Sequence, residues 1–182
     1  ETIQLSKLSK YLLQDQVSSI IFTFVLIFIS VMVVFKSVYF AAHSLIPLAF
    51  GILMNFTIMS IAGIPLDIAT ILISSIVMGI GIDDSIHFLL TYKNSLKAGL
   101  SCQDAVIRTY SHASRPIFFT TLSMVLGFLI FLLSTFRPIY YFGLLIAISM
   151  VNCTFASLFI LPSFLMFTDK LRKRHKNVEK EQ

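Results

Sequence analysis

Gly79-Ile80-Gly81-Ile82-Asp83-Asp84-Ser85-Ile86-His87 sets two adjacent carboxylates and an imidazole inside a segment otherwise built for lipid. Ile71-Leu72-Ile73 precedes it and Phe88-Leu89-Leu90 follows it. Ionisable groups at such depth are costly, and they mark a functional site by default. The apolar pattern continues past the acids to Tyr92, and the first lysine is Lys93. At 1.5 Å per helical residue, Asp83 therefore lies roughly 13 Å inside Tyr92.

Hydrophobic residues make up 57% of the 182-residue chain and charged residues 13%, and 18 residues are Phe. A soluble domain of this length cannot hide that much apolar surface, so the class is integral membrane. Backbone polar groups in lipid must be satisfied internally, and the apolar runs do not alternate. The expected fold is therefore all-α, a polytopic membrane bundle of five transmembrane helices. The basic excess lies in loops and tail, which is a topology signal and argues against a nucleic-acid partner. Cys102 in a polar loop and Cys153 deep in an apolar run are not expected to meet. The sequence shows no Ser-His-Asp spacing, metal-ligand cluster or phosphate loop, so the expectation is no catalytic residues, no metal and no cofactor.

In chain order, residues 1–16 read as the end of an extracytoplasmic region, polar with some amphipathic character at Leu5, Leu8 and Leu12. The expected spans are 17–35, 43–61, 66–92, 117–135 and 139–167, with a basic cytoplasmic tail at 168–182. Pro47 falls in the first turn of the second span so defined, and Gly63-Ile64-Pro65-Leu66-Asp67 reads as a tight turn. Ser101 followed by Asp104 resembles a capping box, with Val106, Tyr110 and Ala113 on one face. The pattern predicts a separate surface helix from Ser101 to about Ser114, with Pro116 opening the fourth span.

Lys36, Lys93, Lys97, Arg108, Arg115, Lys170, Arg172, Lys173, Arg174, Lys176 and Lys180 fall on one side of this topology. Lys7, Lys10 and Arg137 fall on the other. The positive-inside rule then places the C-terminus in the cytoplasm and the N-terminus outside.

Each Asp at a helix centre costs about 2.5 to 3.5 kcal/mol, and each large aliphatic residue or Phe returns about 0.3 to 0.6. The third span is marginal alone, so its acids are expected inside the bundle, facing protein or trapped water. Adjacent carboxylates cannot both ionise cheaply in low dielectric, and they titrate as a coupled pair. His87, one turn from Asp83 on the same face, completes a candidate proton relay of Asp83, Asp84 and His87. Gly79 and Gly81 are read as helix-packing positions at the site. Thr120, Thr121 and Ser123 of the fourth span and Asn152 of the fifth are candidate hydrogen-bond partners. A structural hydrogen-bond knot is the plainer reading of the same cluster.

Gly79-x-x-x-Asp83-Asp84 resembles the intramembrane motif of the resistance-nodulation-division (RND) superfamily, closest to the MMPL-type exporters of hydrophobic compounds. Arg115-Pro116-Ile117-Phe118-Phe119-Thr120-Thr121-Leu122-Ser123, Gly127-Phe128 and Leu161-Pro162-Ser163 are similar to later elements of that family. The resemblance implies the C-terminal five-helix block, of sterol-sensing-domain size, of a two-repeat transporter in a bacterial inner (plasma) membrane. It implies a proton-driven exporter of lipids or hydrophobic compounds, with Na⁺ the less favoured coupling ion. Its partners would be membrane lipid or hydrophobic substrate, protons and the remainder of the full-length transporter; a homo-oligomer stays open. The alternative is a sterol-sensing-like lipid-binding module without transport of its own, and a plain membrane anchor is the third reading. For the topology, Ser101→Cys and Asn177→Cys should label only from the cytoplasmic side in intact cells; labelling of either from outside overturns the orientation.

Overall fold

Helix is the only way for these long apolar runs to satisfy their backbone within a span, and the computed structural model is built from helices throughout. Its backbone is described for residues 2–64 and 68–178, and its side chains for residues 14, 17–64 and 72–171. The elements are α1 (Thr2–Phe35), α2 (Val38–Ala62), α3 (Ile68–Lys97), α4 (Cys102–Leu129), α5 (Arg137–Phe155) and α6 (Leu161–Val178). A short 3₁₀ turn (Ile130–Leu133) ends α4, and a π turn (Ala156–Ile160) joins α5 to α6. Among the described residues, five helical stretches are long and apolar enough to cross a membrane, the last running through α5, the π turn and part of α6. No strand occurs among the described residues.

α3 is the hub. It packs against α1, α2, α4 and α5, while α1 and α4 leave most of their surface outward. Ser74, Met78, Gly81, Ser85, Phe88, Tyr92 and Ser95 form one buried seam along it. On α5 the matching seam is Gly143, Ala147, Met150 and Thr154, continued by Ser157 and Leu161. Gly143 is required there, because a Cβ at that position would lie 2.6 Å from both the Phe128 carbonyl and the Phe131 Cβ.

Several boundaries differ from the sequence expectation. No break separates the polar opening from the first span, since α1 starts at Thr2. α2 starts at Val38, so Pro47 lies well inside the helix rather than in its first turn. Gly63 ends α2 in the left-handed region (φ 62°), its N–H bonded to the Met59 carbonyl. Residues 65–67 of the expected turn, the side chains of Leu5, Leu8 and Leu12, and the last four residues of the tail lie outside the described residues.

The separate surface helix is not formed. Ser101 caps it as expected, accepting from the Asp104 N–H at 3.2 Å while donating to its carboxylate at 2.6 Å. From there α4 runs unbroken through Pro116. Val106 and Ala113 are buried against Phe35, Phe88 and Leu161, so the apolar face belongs to the bundle and not to the membrane surface. Pro116 withholds a single helical hydrogen bond, the one to the carbonyl of His112, which is exposed, and the packed face of the helix outweighs that loss. Cys102 is likewise no loop residue. It opens α4, buried, with the Tyr92 hydroxyl 3.2 Å from its sulfur.

The π turn has a cause in the sequence. Pro162 has no N–H to offer the Leu158 carbonyl, and the ladder slips so that the Leu161 N–H reaches the Ala156 carbonyl. The Tyr110 hydroxyl of α4 donates to the stranded Leu158 carbonyl instead. Tyr110→Phe should therefore cost about 1 to 3 kcal/mol, the price of a buried acceptor left unmade. Thermal unfolding in detergent checks it; an unchanged midpoint would show that the carbonyl finds another donor.

Candidate functional site

The rotation of α3 divides the acidic pair. Neighbouring residues on a helix point about 100° apart, so Asp83 and Asp84 cannot share a direction. Asp84 is half-buried between α3, α4 and α5, whereas Asp83 is exposed on the flank of the bundle. His87 is exposed as well, one turn from Asp83. The expectation that both acids face the interior of the bundle is thus corrected: within this chain only Asp84 does.

Asp84 is held by hydroxyls. Thr154 of α5 donates to its Oδ2 at 2.5 Å, and Thr121 of α4 lies 3.3 Å from the same oxygen. The two hydroxyls are 2.6 Å apart. Thr121 also lies 2.9 Å from the Ile117 carbonyl of its own helix. One residue further along α3, Ser85 meets Ser157 of the π turn at 3.1 Å, both fully buried. The acid is therefore tied to α4, to α5 and, through its neighbour, to the turn that leads into α6. A carboxylate accepting from hydroxyls in low dielectric keeps a large part of the solvation it loses on leaving water.

Of the four partners expected, the structure brings Thr121 to the acid and leaves the others away. Thr120 is exposed and bonds back to the Pro116 and Ile117 carbonyls at 3.1 and 2.9 Å. Ser123 is exposed beside Phe119, Met124, Gly127 and Phe128, in an apolar cleft of about 590 Å³ on the outer side of α4. Asn152 points away from the Asp84 hydroxyls, because it sits two residues, and so about 200°, off the position of Thr154. Thr154 is the residue that sequence reasoning missed. The signal was present: the small residues Gly143 and Ala147 lie on the same seam that reaches Thr154 after Met150.

The glycines also separate. A Cβ at Gly81 would lie 3.0 Å from Cys153 Sγ and 3.6 Å from Leu48 Cδ1, so this glycine does permit close packing. Gly79 is exposed with open space around it, so among the described residues it packs against no neighbouring helix, contrary to expectation. Gly51 of α2, which the sequence reading did not single out, faces the same sulfur and leaves no room for a Cβ. Cys153 is thus the peg on which α2, α3 and α5 close, one residue before Thr154.

The MMPL family matches residues 2–180, nearly the full length of the sequence. The chain belongs to the MMPL family. It is also similar to a protein of Methanocaldococcus jannaschii whose name describes it no further than as a membrane protein, at 25% identity over 144 residues. That match covers 79% of this chain and 37% of the archaeal protein, so the chain spans little more than a third of its relative. As an MMPL member the chain is a membrane block of the RND type.

The Cys153 peg sets a test of the packing behind Asp84. Gly51→Ala gains roughly 0.5 to 1 kcal/mol of helix propensity, but overpacking against the sulfur costs about 1 to 3. The variant should unfold at lower temperature than the parent. Adding Cys153→Ala should restore most of the loss. A Gly51→Ala variant as stable as the parent would show that the junction yields freely.

Proposed function

We propose that this MMPL chain is the C-terminal membrane block of a proton-driven RND-type exporter of lipids or other hydrophobic compounds. The observation that carries the reading is the fixation of Asp84 by Thr154 and Thr121 where three helices meet, beside an outward-facing Asp83 and His87. An acid so placed changes the contacts between helices when it gains or loses a proton. Each proton moved across 100 mV is worth about 2.3 kcal/mol, which shifts a two-state helix arrangement substantially.

The outward stripe of α3 supports a larger assembly. Leu72, Gly79, Asp83, His87 and Leu90 are exposed along one face. An ionisable group turned to lipid at that depth is unfavourable, and the remainder of the full-length transporter is the proposed cover. Protons are the proposed coupling ion, ahead of Na⁺: among the described residues the side-chain hydrogen bonds to Asp84 come from two hydroxyls, Thr154 and Thr121, and a hard cation needs several oxygen ligands. By the positive-inside rule, the end of the bundle bearing Lys36, Lys93 and Lys97 is cytoplasmic, in a bacterial plasma membrane.

The cleft along Phe119, Thr120, Ser123, Met124 and Phe128 favours a second reading, a sterol-sensing-like lipid-binding module without transport of its own. It is apolar, and its size suits part of a lipid. Dependence of flux on the proton gradient separates the two.

Asp83→Asn and Asp84→Asn in the full-length protein should each abolish gradient-driven flux while insertion and folding persist. His87→Ala should be milder, because water can replace a modulator but not the titrating carboxylate. The corresponding acids of the other half are mutated in parallel. Normal flux with all of them replaced would sink the proton-coupled reading.

A further inference from the structure

Counting hydrogens at Asp84 exposes a constraint that the distances alone do not. Four contacts link the group: Asp84 to Thr154, Asp84 to Thr121, Thr121 to Thr154, and Thr121 to the Ile117 carbonyl. Two hydroxyls carry only two hydrogens, and a hydroxyl donates one bond at a time. With Asp84 ionised, the short contacts select one order. Thr121 donates to Thr154 Oγ1 at 2.6 Å, and Thr154 donates to Asp84 Oδ2 at 2.5 Å. The Ile117 carbonyl then receives nothing from Thr121.

With Asp84 protonated the same oxygens admit the opposite order. The added hydrogen on Oδ2 is donated to Thr154 Oγ1. The Thr154 hydrogen turns to Thr121 Oγ1, and the Thr121 hydrogen turns to the Ile117 carbonyl at 2.9 Å. Each hydroxyl rotates about its C–O bond, no O–H bond breaks, and the net change is one proton gained at Asp84. The 2.5 and 2.6 Å contacts carry a hydrogen in both orders, and only the 2.9 Å contact to Ile117 gains or loses one as the chain reverses.

We infer that Thr154 and Thr121 are positioning residues for the coupling proton, forming a reversible hydroxyl chain that reports the state of Asp84 to the backbone of α4 at Ile117. This rests on the proposal that Asp84 carries a proton. The far end of the chain is suited to such a readout. Pro116 immediately precedes Ile117, and the Thr120 hydroxyl, with one hydrogen facing the Pro116 and Ile117 carbonyls at 3.1 and 2.9 Å, lies nearer the Ile117 carbonyl. Hydroxyls that bond back within a helix bend it. Protonation of Asp84 brings a second hydroxyl onto that carbonyl, and deprotonation withdraws it. The residues that follow, Phe119, Thr120 and Ser123, line the apolar cleft. The chain thus links the acid to the wall of the cleft through one helix. The other titratable groups acting on Asp84 are Asp83 and His87 of α3 itself and Cys153 of α5. Among the described residues α1, α2 and α4 bring none.

The test uses full-length protein in lipid vesicles, with valine to keep the shape and serine to keep the hydroxyl. Thr154→Val and Thr121→Val should each lower proton-driven transport about tenfold or more, and Thr154→Ser and Thr121→Ser should stay within about threefold. The second readout is infrared difference spectroscopy on a pH change. The carboxylic acid band of Asp84 is identified by its loss in Asp84→Asn. The pH at which it appears should move by about one unit in the valine variants and hold in the serine variants. Valine variants that transport normally, with the band at the parental pH, overturn the hydroxyl chain and leave the proton reading standing. Serine variants as impaired as valine overturn it too, because the methyl group and not the hydroxyl would then matter. If the parent shows no Asp84 band at any pH, Asp84 takes up no proton, and the functional reading at this residue falls together with the chain.

Discussion

A carboxylate within a membrane span needs donors more than it needs any particular neighbour, and this need organises the bundle. Asp84 obtains its donors from two other helices, Thr121 on α4 and Thr154 on α5. Hydroxyls are short, so they serve only if the helices approach closely and in one rotation. The rotation that brings Thr154 to the acid also sends Asn152 away, and the one that turns Asp84 inward turns Asp83 and His87 out. The polar contact and the helix register are one constraint seen twice.

Close approach is secured beside the acid by small residues. Cys153 fits between Gly51 and Gly81, where any Cβ would crowd its sulfur. Apolar burial has little power to drive helices together in lipid, because lipid is as apolar as the side chains. Packing of small residues and interhelical hydrogen bonds must do it, and both occur here on successive residues, Cys153 and Thr154. The same logic explains the outer layer. α1 and most of α4 expose Phe, Leu, Ile and Val freely, since outward apolar surface carries no penalty in a bilayer.

The end of the bundle that carries Lys93 shows how helix termini are closed. Lys93 donates to the Phe35 carbonyl at the end of α1 and lies over the Phe35 and Phe40 rings at 5.3 and 5.7 Å. Tyr39 and His43 of α2 both reach Thr168 of α6, at 2.7 and 3.2 Å. These contacts join the α1–α2 turn, α3 and the last helix. They are polar, and they lie at the opposite end of the chain's logic from the Asp84 site, where polarity is confined to a few hydroxyls among apolar side chains.

The class and the number of helices long and apolar enough to span were legible in the sequence, because both follow from local chemistry, the length and apolarity of each run. The Ser101 cap was legible for the same reason, a side chain three residues from the N–H it serves. Where α4 would go after Ser114 was not. Pro116 reads locally as a boundary, and the packed face of Val106 and Ala113 is what makes a continuous helix acceptable. Which acid faces inward, which glycine packs, and whether Asn152 or Thr154 answers Asp84 were likewise undecided by residue type. Those outcomes depend on the rotation of each helix about its own axis. Neighbouring residues differ by about 100° in direction, and only the packing of three helices against one another sets that angle.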